Sequence, residues 1–194
     1  MGRIFYLMGK SATGKDTIYK NLLRLRPELK TVVPYTTRPI RQGEKNGVEY
    51  FFTTCEELER MEAAGKVIEK RTYQTVMGPW SYFTPDDGQF CLAGDAGYLM
   101  IGTLESYENM AVYFGRENLI PLYIEVPDGI RIRRALEREE SQKIPNYREL
   151  CRRYLADEED FSGEKLERLH ITRRFLNIDL EECLRELCEA VDKA

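Results

Sequence analysis

Near the start of the chain, Gly9-Lys10-Ser11-Ala12-Thr13-Gly14-Lys15 follows the short apolar run Arg3 to Met8 and precedes a stretch with helical spacing. A G-x-x-x-x-G-K sequence in that setting folds in few ways. The glycines let backbone N–H groups converge, and the helix that follows aims its positive end at the same point. Lys15 adds a mobile point charge. This arrangement suits a polyphosphate, so Gly9, Lys10, Ser11, Ala12, Thr13, Gly14, Lys15, Asp16 and Thr17 are expected to bind one. The usual hydroxyl residue after the lysine is replaced by Asp16, and a hydroxyl returns only at Thr17. A carboxylate can ligate Mg²⁺, and it also suits the first turn of a helix. Asp16 is read as the metal-linked residue, with the helix-start reading left open.

The rest of the chain continues an alternating α/β pattern. Asp16 to Leu25 carries Ile18, Leu22 and Leu25 at helical spacing and is closed by Pro27. Thr31 to Thr53 reads as strand and loop, and Thr54 with Glu57 as a capping box before a short helix ending at Gly65. Lys66 to Met77 reads as a strand, Gly78 to Trp80 as a turn, and Tyr98 to Ile101 as a buried strand. A helix over Ser106 to Phe114 is followed by a core strand at Leu119 to Val126. Two charge-rich helices, about Ile130 to Glu140 and Tyr147 to Asp160, come next. A last strand is expected at Ile171 to Leu176, then an amphipathic helix bearing Leu180, Leu184, Leu187 and Val191.

Several classes of function fall away on composition. At 194 residues the chain suits one domain. No apolar run reaches the roughly 20 residues a membrane span needs, and the N-terminus lacks a signal-peptide pattern. With 29 Lys+Arg against 33 Asp+Glu, the net charge of −4 argues against nucleic-acid binding. The 5 cysteines form no CxxC pair, which points to a reduced, cytoplasmic protein. One histidine, His170, excludes multi-histidine metal centres, and it is read as structural.

A second anion grip follows. Thr36-Thr37-Arg38 leads to Arg41, Gly43-Glu44, Gly47 and Tyr50. Two arginines three apart can hold one phosphate through forked donors, and a tyrosine hydroxyl can add another donor. With the phosphate loop upstream, this element resembles the TTR-x-x-R-x-G-E-x-x-G-x-x-Y motif of the guanylate kinase family, and the resemblance extends loosely over nearly the whole chain. It implies an α/β fold: a phosphate-loop parallel sheet flanked by helices, with a β-rich nucleoside-monophosphate-binding insertion and a helical lid. The implied core is about 1–32, 91–127 and 161–194, the insertion about 33–90 and the lid about 128–160. It further implies phosphate transfer from ATP, with Mg²⁺, to GMP. By resemblance Arg38, Arg41 and Tyr50 hold the acceptor phosphate, and Glu69 in Val67-Ile68-Glu69 reads guanine. Tyr82 and Thr84 stand for the family's later tyrosine and hydroxyl. Arg134, Arg138 and Arg153 match lid arginines, which join Lys15 and Arg38 as the expected catalytic set. Asn177 lies on the adenine side.

The match has gaps. A D-x-D pair expected after the strand at Tyr98 to Ile101 is absent, the chain reading Gly102-Thr103-Leu104-Glu105. An insertion is expected around Val76 to Trp80. Two other readings stay open: an enzyme resembling ribose 1,5-bisphosphate phosphokinase, and a catalytically silent guanylate-kinase-like interaction module. The oligomeric state is also open, a homodimer included.

Overall fold

The computed structural model describes residues 2–41, 43–75 and 77–194. Five parallel strands form the central sheet, in the order β2-β7-β1-β8-β9. These are β1 (Arg3–Met8), β2 (Lys30–Thr31), β7 (Gly97–Ile101), β8 (Leu119–Glu125) and β9 (Phe175–Leu176). β1 is central because five of its six residues are buried, and its side chains alternate between two cores. Ile4, Tyr6 and Met8 face one cluster with Tyr98, Met100, Tyr107, Met110 and Phe161. Phe5 and Leu7 face the other with Ile18, Leu22, Leu184 and Leu187. The first cluster is covered by α3 (Leu104–Phe114), the second by α1 (Lys15–Leu25) and α7 (Leu180–Asp192).

A smaller sheet, ordered β4-β3-β6-β5, sits between β2 and β7 in the chain. It comprises β3 (Tyr35–Thr36), β4 (Phe51–Phe52), β5 (Val67–Thr75) and β6 (Gly78–Pro85), with α2 (Cys55–Ala63) before β5. Thr54 caps α2 by accepting from Glu57 N. Two further helices, α4 (Asp128–Glu140) and α5 (Tyr147–Asp160), form an antiparallel hairpin after β8. No helix among the described residues is long and apolar enough to cross a membrane.

Most elements fall where the sequence places them, with three differences. Gly78 to Trp80, expected as a turn, opens β6; Tyr73 pairs with Trp80 and Gln74 with Pro79. Pro79 is tolerated because β3 reaches β6 only at Tyr82 and Phe83, which leaves this end of β6 an open edge. The turn is tighter and earlier, with Thr75 Oγ1 donating to Gly78 O at 2.6 Å; Val76 lies outside the described residues. The expected last strand shrinks to Phe175–Leu176, paired with Ile124 and Glu125. Upstream of it lies an unforeseen helix, α6 (Gly163–Arg168), capped by Ser162. His170 terminates α6 in the left-handed conformation, at φ 57°. His170 N donates to Glu167 O and Ile171 N to Leu166 O, both at 2.9 Å. Those two bonds close a helix end, so the lone histidine has a structural place.

Candidate functional site

The phosphate loop wraps as its glycines require. Gly14 sits at φ 86°, and a Cβ there would lie 2.6 Å from Asn177 Nδ2. Asn177, 5% exposed, donates that Nδ2 to Thr13 O at 2.8 Å, so it braces the loop backbone directly. Thr13 Oγ1 donates to Lys10 O at 2.8 Å, and Ala12 holds φ 63°. Lys15 Nζ donates to Gly9 O at 2.7 Å and to Lys10 O at 2.9 Å. Burial pushes the Lys15 ammonium down to about 8, against the opposing pull of Asp157 and Asp16. A desolvated cation in a loop at a helix N-terminus is poised for an anion. Asp16 and Thr17 are exposed on the first turn of α1.

A charge network that the sequence reading missed fastens this loop to α5. Ser11 N donates to Asp157 Oδ2 at 2.8 Å, and Lys10 Nζ pairs with Glu158 at 2.7 Å. Arg131, on α4 and 2% exposed, bridges Asp128, Asp157 and Glu158 at 2.9, 3.1 and 2.6 Å. Its guanidinium lies 4.7 Å from the Tyr154 ring centroid. Nothing in the local sequence separates Arg131 from Arg133 or Arg134, because burial is decided by how α4 and α5 pack.

Above the loop, Ser11, Arg131, Arg138, Arg153, Tyr154 and Asp157 line a cavity of about 220 Å³. Arg138 and Arg153 therefore share a space with the loop. Arg134 turns elsewhere: its Nη2 donates to Asn177 O at 3.0 Å.

On the smaller sheet, Thr36 and Thr37 tie the arginine loop to β6. Thr36 Oγ1 donates to Ser81 O and accepts from Arg38 N, while Ser81 N donates to Thr37 Oγ1. Arg38 is 3% exposed and forks onto Glu44 at 2.8 and 3.0 Å. That guanidinium holds the Glu44 carboxyl below its usual range. Arg38 Nε remains buried without a hydrogen bond, an unsatisfied donor. The guanidinium lies over the Tyr50 and Phe52 rings at 5.6 and 5.5 Å, and the Tyr50 ring meets Tyr82 at 5.5 Å. Arg41 is exposed beside them.

Glu69 is 3% exposed, so it is no surface acid. Across the strand pair Glu69 faces Thr84, whose Oγ1 donates to Glu69 Oε1 at 2.7 Å. Arg71, two residues along the same face of β5, donates from Nε to Glu69 Oε2 at 3.1 Å and from Nη1 to Thr103 Oγ1 at 3.3 Å. Sequence reading passed over Arg71; the period of two from Glu69 was the available signal.

At the strand end that lacks D-x-D, Gly102 is tightly packed. A Cβ there would lie 1.9 Å from the Tyr6 hydroxyl, which is hydrogen-bonded to Ser106 Oγ. Thr103 caps α3, its Oγ1 accepting from Ser106 N.

The sheet order, the loop and the helices on both faces define a phosphate-loop α/β protein. Residues 1–79 match the family model described as guanylate kinase. The guanylate kinase of Neisseria gonorrhoeae is 41% identical over 100 residues, which is 52% of this chain and 46% of that protein. That of Symbiobacterium thermophilum is 47% identical over 68 residues, 35% of this chain and 32% of that protein. The matched stretches thus span less than half of these relatives' length. Anaplasma phagocytophilum guanylate kinase shares the fold, with a TM-score of 0.65 at 19% identity, covering 99% of this chain and 85% of that one.

Proposed function

We propose that this chain transfers the γ-phosphate of ATP to GMP, giving ADP and GDP. One observation carries the reading: an anion grip and a buried carboxylate share one small sheet. Tyr82 and Thr84 lie two residues apart on one face of β6. Tyr82 stands beside Tyr50 and the Arg38 loop, and Thr84 beside Glu69. Two strand residues set the backbones of Tyr82 and Thr84 roughly 7 Å apart, so both groups lie on one side of the small sheet. Arg38, Arg41, Tyr50 and Tyr82 would hold the phosphate. Glu69 would accept from guanine N1–H and N2–H, with Thr84 fixing its orientation. Adenine offers no such pair of donors and would leave the buried carboxylate unmatched.

The phosphate loop, braced by Asn177, would take the ATP phosphates, with Lys15 on the transferring group and Arg134 on the adenine side. The acceptor phosphate is already anionic, so no general base is required. One of its oxygens forms a bond to the γ-phosphorus as the bond to the β,γ-bridging oxygen breaks, leaving ADP. Lys15, Arg138 and Arg153 would spread the charge of that transition state, and the α4–α5 hairpin over residues 128–160 would serve as the lid. Residues 33–90 form the acceptor side and 1–32, 91–127 and 161–194 the core in this reading.

Mg²⁺ fits as a phosphate-borne cofactor. No group of three His, Cys, Asp or Glu among the described residues could cage it, whereas Asp16 is an exposed carboxylate beside Lys15. Mg²⁺ commonly binds through one carboxylate plus phosphate oxygens, where it would neutralise phosphate charge. A cytoplasmic location would suit these substrates.

A coupled assay of ADP release tests the reading with GMP, dGMP, AMP, UMP and ribose 1,5-bisphosphate as acceptors. GMP should exceed AMP by at least 100-fold in kcat/KM, and Glu69→Gln should reduce that ratio roughly 10-fold or more. Equal rates on GMP and AMP, or transfer to ribose 1,5-bisphosphate alone, would overturn it.

A further inference from the structure

Glu69 does not stand alone in its recess. Its carboxylate has about four lone-pair sites. Thr84 Oγ1 takes one, and Arg71 takes one on Oε2 at 3.1 Å, with a longer contact to Oε1 at 3.5 Å. The 3.5 Å contact is the weak arm of this fork and yields its lone pair to a better donor, so each carboxylate oxygen offers one acceptor site to a ligand, two in all. Arg71 is held on the other side by Thr103 Oγ1 at 3.3 Å. A guanidinium has five N–H donors, and these contacts occupy three. Two N–H donors of Arg71 remain uncommitted. The pair is firmly placed: the Arg71 side chain is 13% exposed and that of Glu69 1%. Burial works against the Arg71 charge, but the charge and hydrogen bond of Glu69 together with the Tyr6 and Tyr73 hydroxyls outweigh it, leaving the guanidinium more firmly protonated.

We infer that Arg71 is a specificity-determining residue that reads the 6-oxo group of the acceptor base, while Glu69 reads its ring N–H and exocyclic amine. This inference rests on the GMP reading above and deepens it. A carboxylate and a guanidinium side by side present acceptor and donor next to one another. The Watson–Crick edge of guanine presents the complement: N2–H and N1–H as donors, then O6 as acceptor. A lone carboxylate distinguishes guanine from adenine only by the donors. The added cation rewards O6 and repels the 6-amino group of adenine, so both halves of the edge are read. The position also fits the altered strand end. Gly102 carries no side chain where the Tyr6 hydroxyl stands, and Thr103, the residue after it, is the one that steadies Arg71.

A purely structural role, in which Arg71 only neutralises Glu69, makes a different forecast. Every acceptor would then suffer equally when Arg71 is truncated. The test compares wild type, Arg71→Ala and Arg71→Lys on GMP, 6-thioguanosine monophosphate and IMP. The thio analogue keeps N1–H and the 2-amino group but replaces O6 with a weak acceptor. IMP keeps O6 and N1–H and lacks the amine. Wild type should prefer GMP over the thio analogue by roughly 10- to 100-fold in kcat/KM, the worth of a charged hydrogen bond. Arg71→Ala should reduce that preference to within about threefold, and leave the GMP-to-IMP ratio within about threefold of wild type. Arg71→Lys should retain part of the preference and serves as the folded control. Calorimetric binding of the same three nucleotides gives a second readout without turnover. An unchanged GMP-to-thio ratio in Arg71→Ala would overturn this inference while leaving GMP transfer standing. Failure of the wild type to use or bind GMP would overturn both.

Discussion

Replacing Arg131 with Met removes the cation that joins the phosphate loop to the α4–α5 hairpin, while keeping most of its volume. Arg131 is 2% exposed, and its three carboxylate partners differ. Asp157 is 13% exposed, whereas Glu158 and Asp128 are 39% and 50% exposed. Stranding a buried partner costs about 3–5 kcal/mol. Asp157 retains its bonds from Ser11 N and Oγ, so the lower end, about 3 kcal/mol, applies. The two solvated pairs add about 0.5 kcal/mol each at most. The lost stacking on Tyr154 is partly replaced by thioether contact. Arg131→Met should therefore destabilise the fold by about 3–4 kcal/mol, which for a chain of this size lowers Tm by about 10 °C. Urea unfolding and thermal melting would measure it. A double-mutant cycle with Asp157→Asn should give a coupling of about 2 kcal/mol, because the charge left unpaired in one single variant is absent in the double. A loss below 1 kcal/mol, or additive effects, would refute the view that Asp157 is held in place by Arg131.

Lys15, held down to about 8 by burial, is charged in the unfolded chain up to about 10.5. Between those values the unfolded state binds the extra proton, so this group makes stability rise with pH across that window. ATP phosphates should restore the charge, taking up about half a proton per site at pH 8; calorimetry in buffers of different ionisation enthalpy would detect it, and zero uptake would contradict the assignment. Arg138→Ala and Arg153→Ala should each lower kcat by about 10³ with little change in KM. Arg134→Ala should act on KM for ATP, since its guanidinium reaches Asn177 rather than the cavity. Asp16→Ser should raise the Mg²⁺ concentration for half-maximal rate while leaving GMP affinity unchanged; overlapping titration curves would return Asp16 to a helix-start role.

The linear order of residues determined most of the frame. The Arg3 to Met8 run could only be a buried strand, since both faces are apolar, and the glycine loop after it could only open a helix. Thr36, Thr37, Arg38 and Tyr50 were legible because their spacing is local: one short loop sets their positions. Glu69 was legible only through family resemblance, and its burial came from β6 and α3 closing over β5. Three features took their partners from the tertiary structure. Arg131 among its neighbouring arginines became the buried one because α5 brings Asp157 and Glu158 beside it from 26 and 27 residues away. Arg71 became a partner of Glu69 because a strand's period of two puts them on one face and α3 supplies Thr103. Gly102 has no room for a side chain because a tyrosine hydroxyl arrives from β1, about a hundred residues earlier. Periodicity and turn chemistry act over a few residues and can be read in order along a chain. Which charges are stripped of water, and against what they are then paired, depends on segments that meet only when the sheet and helices close.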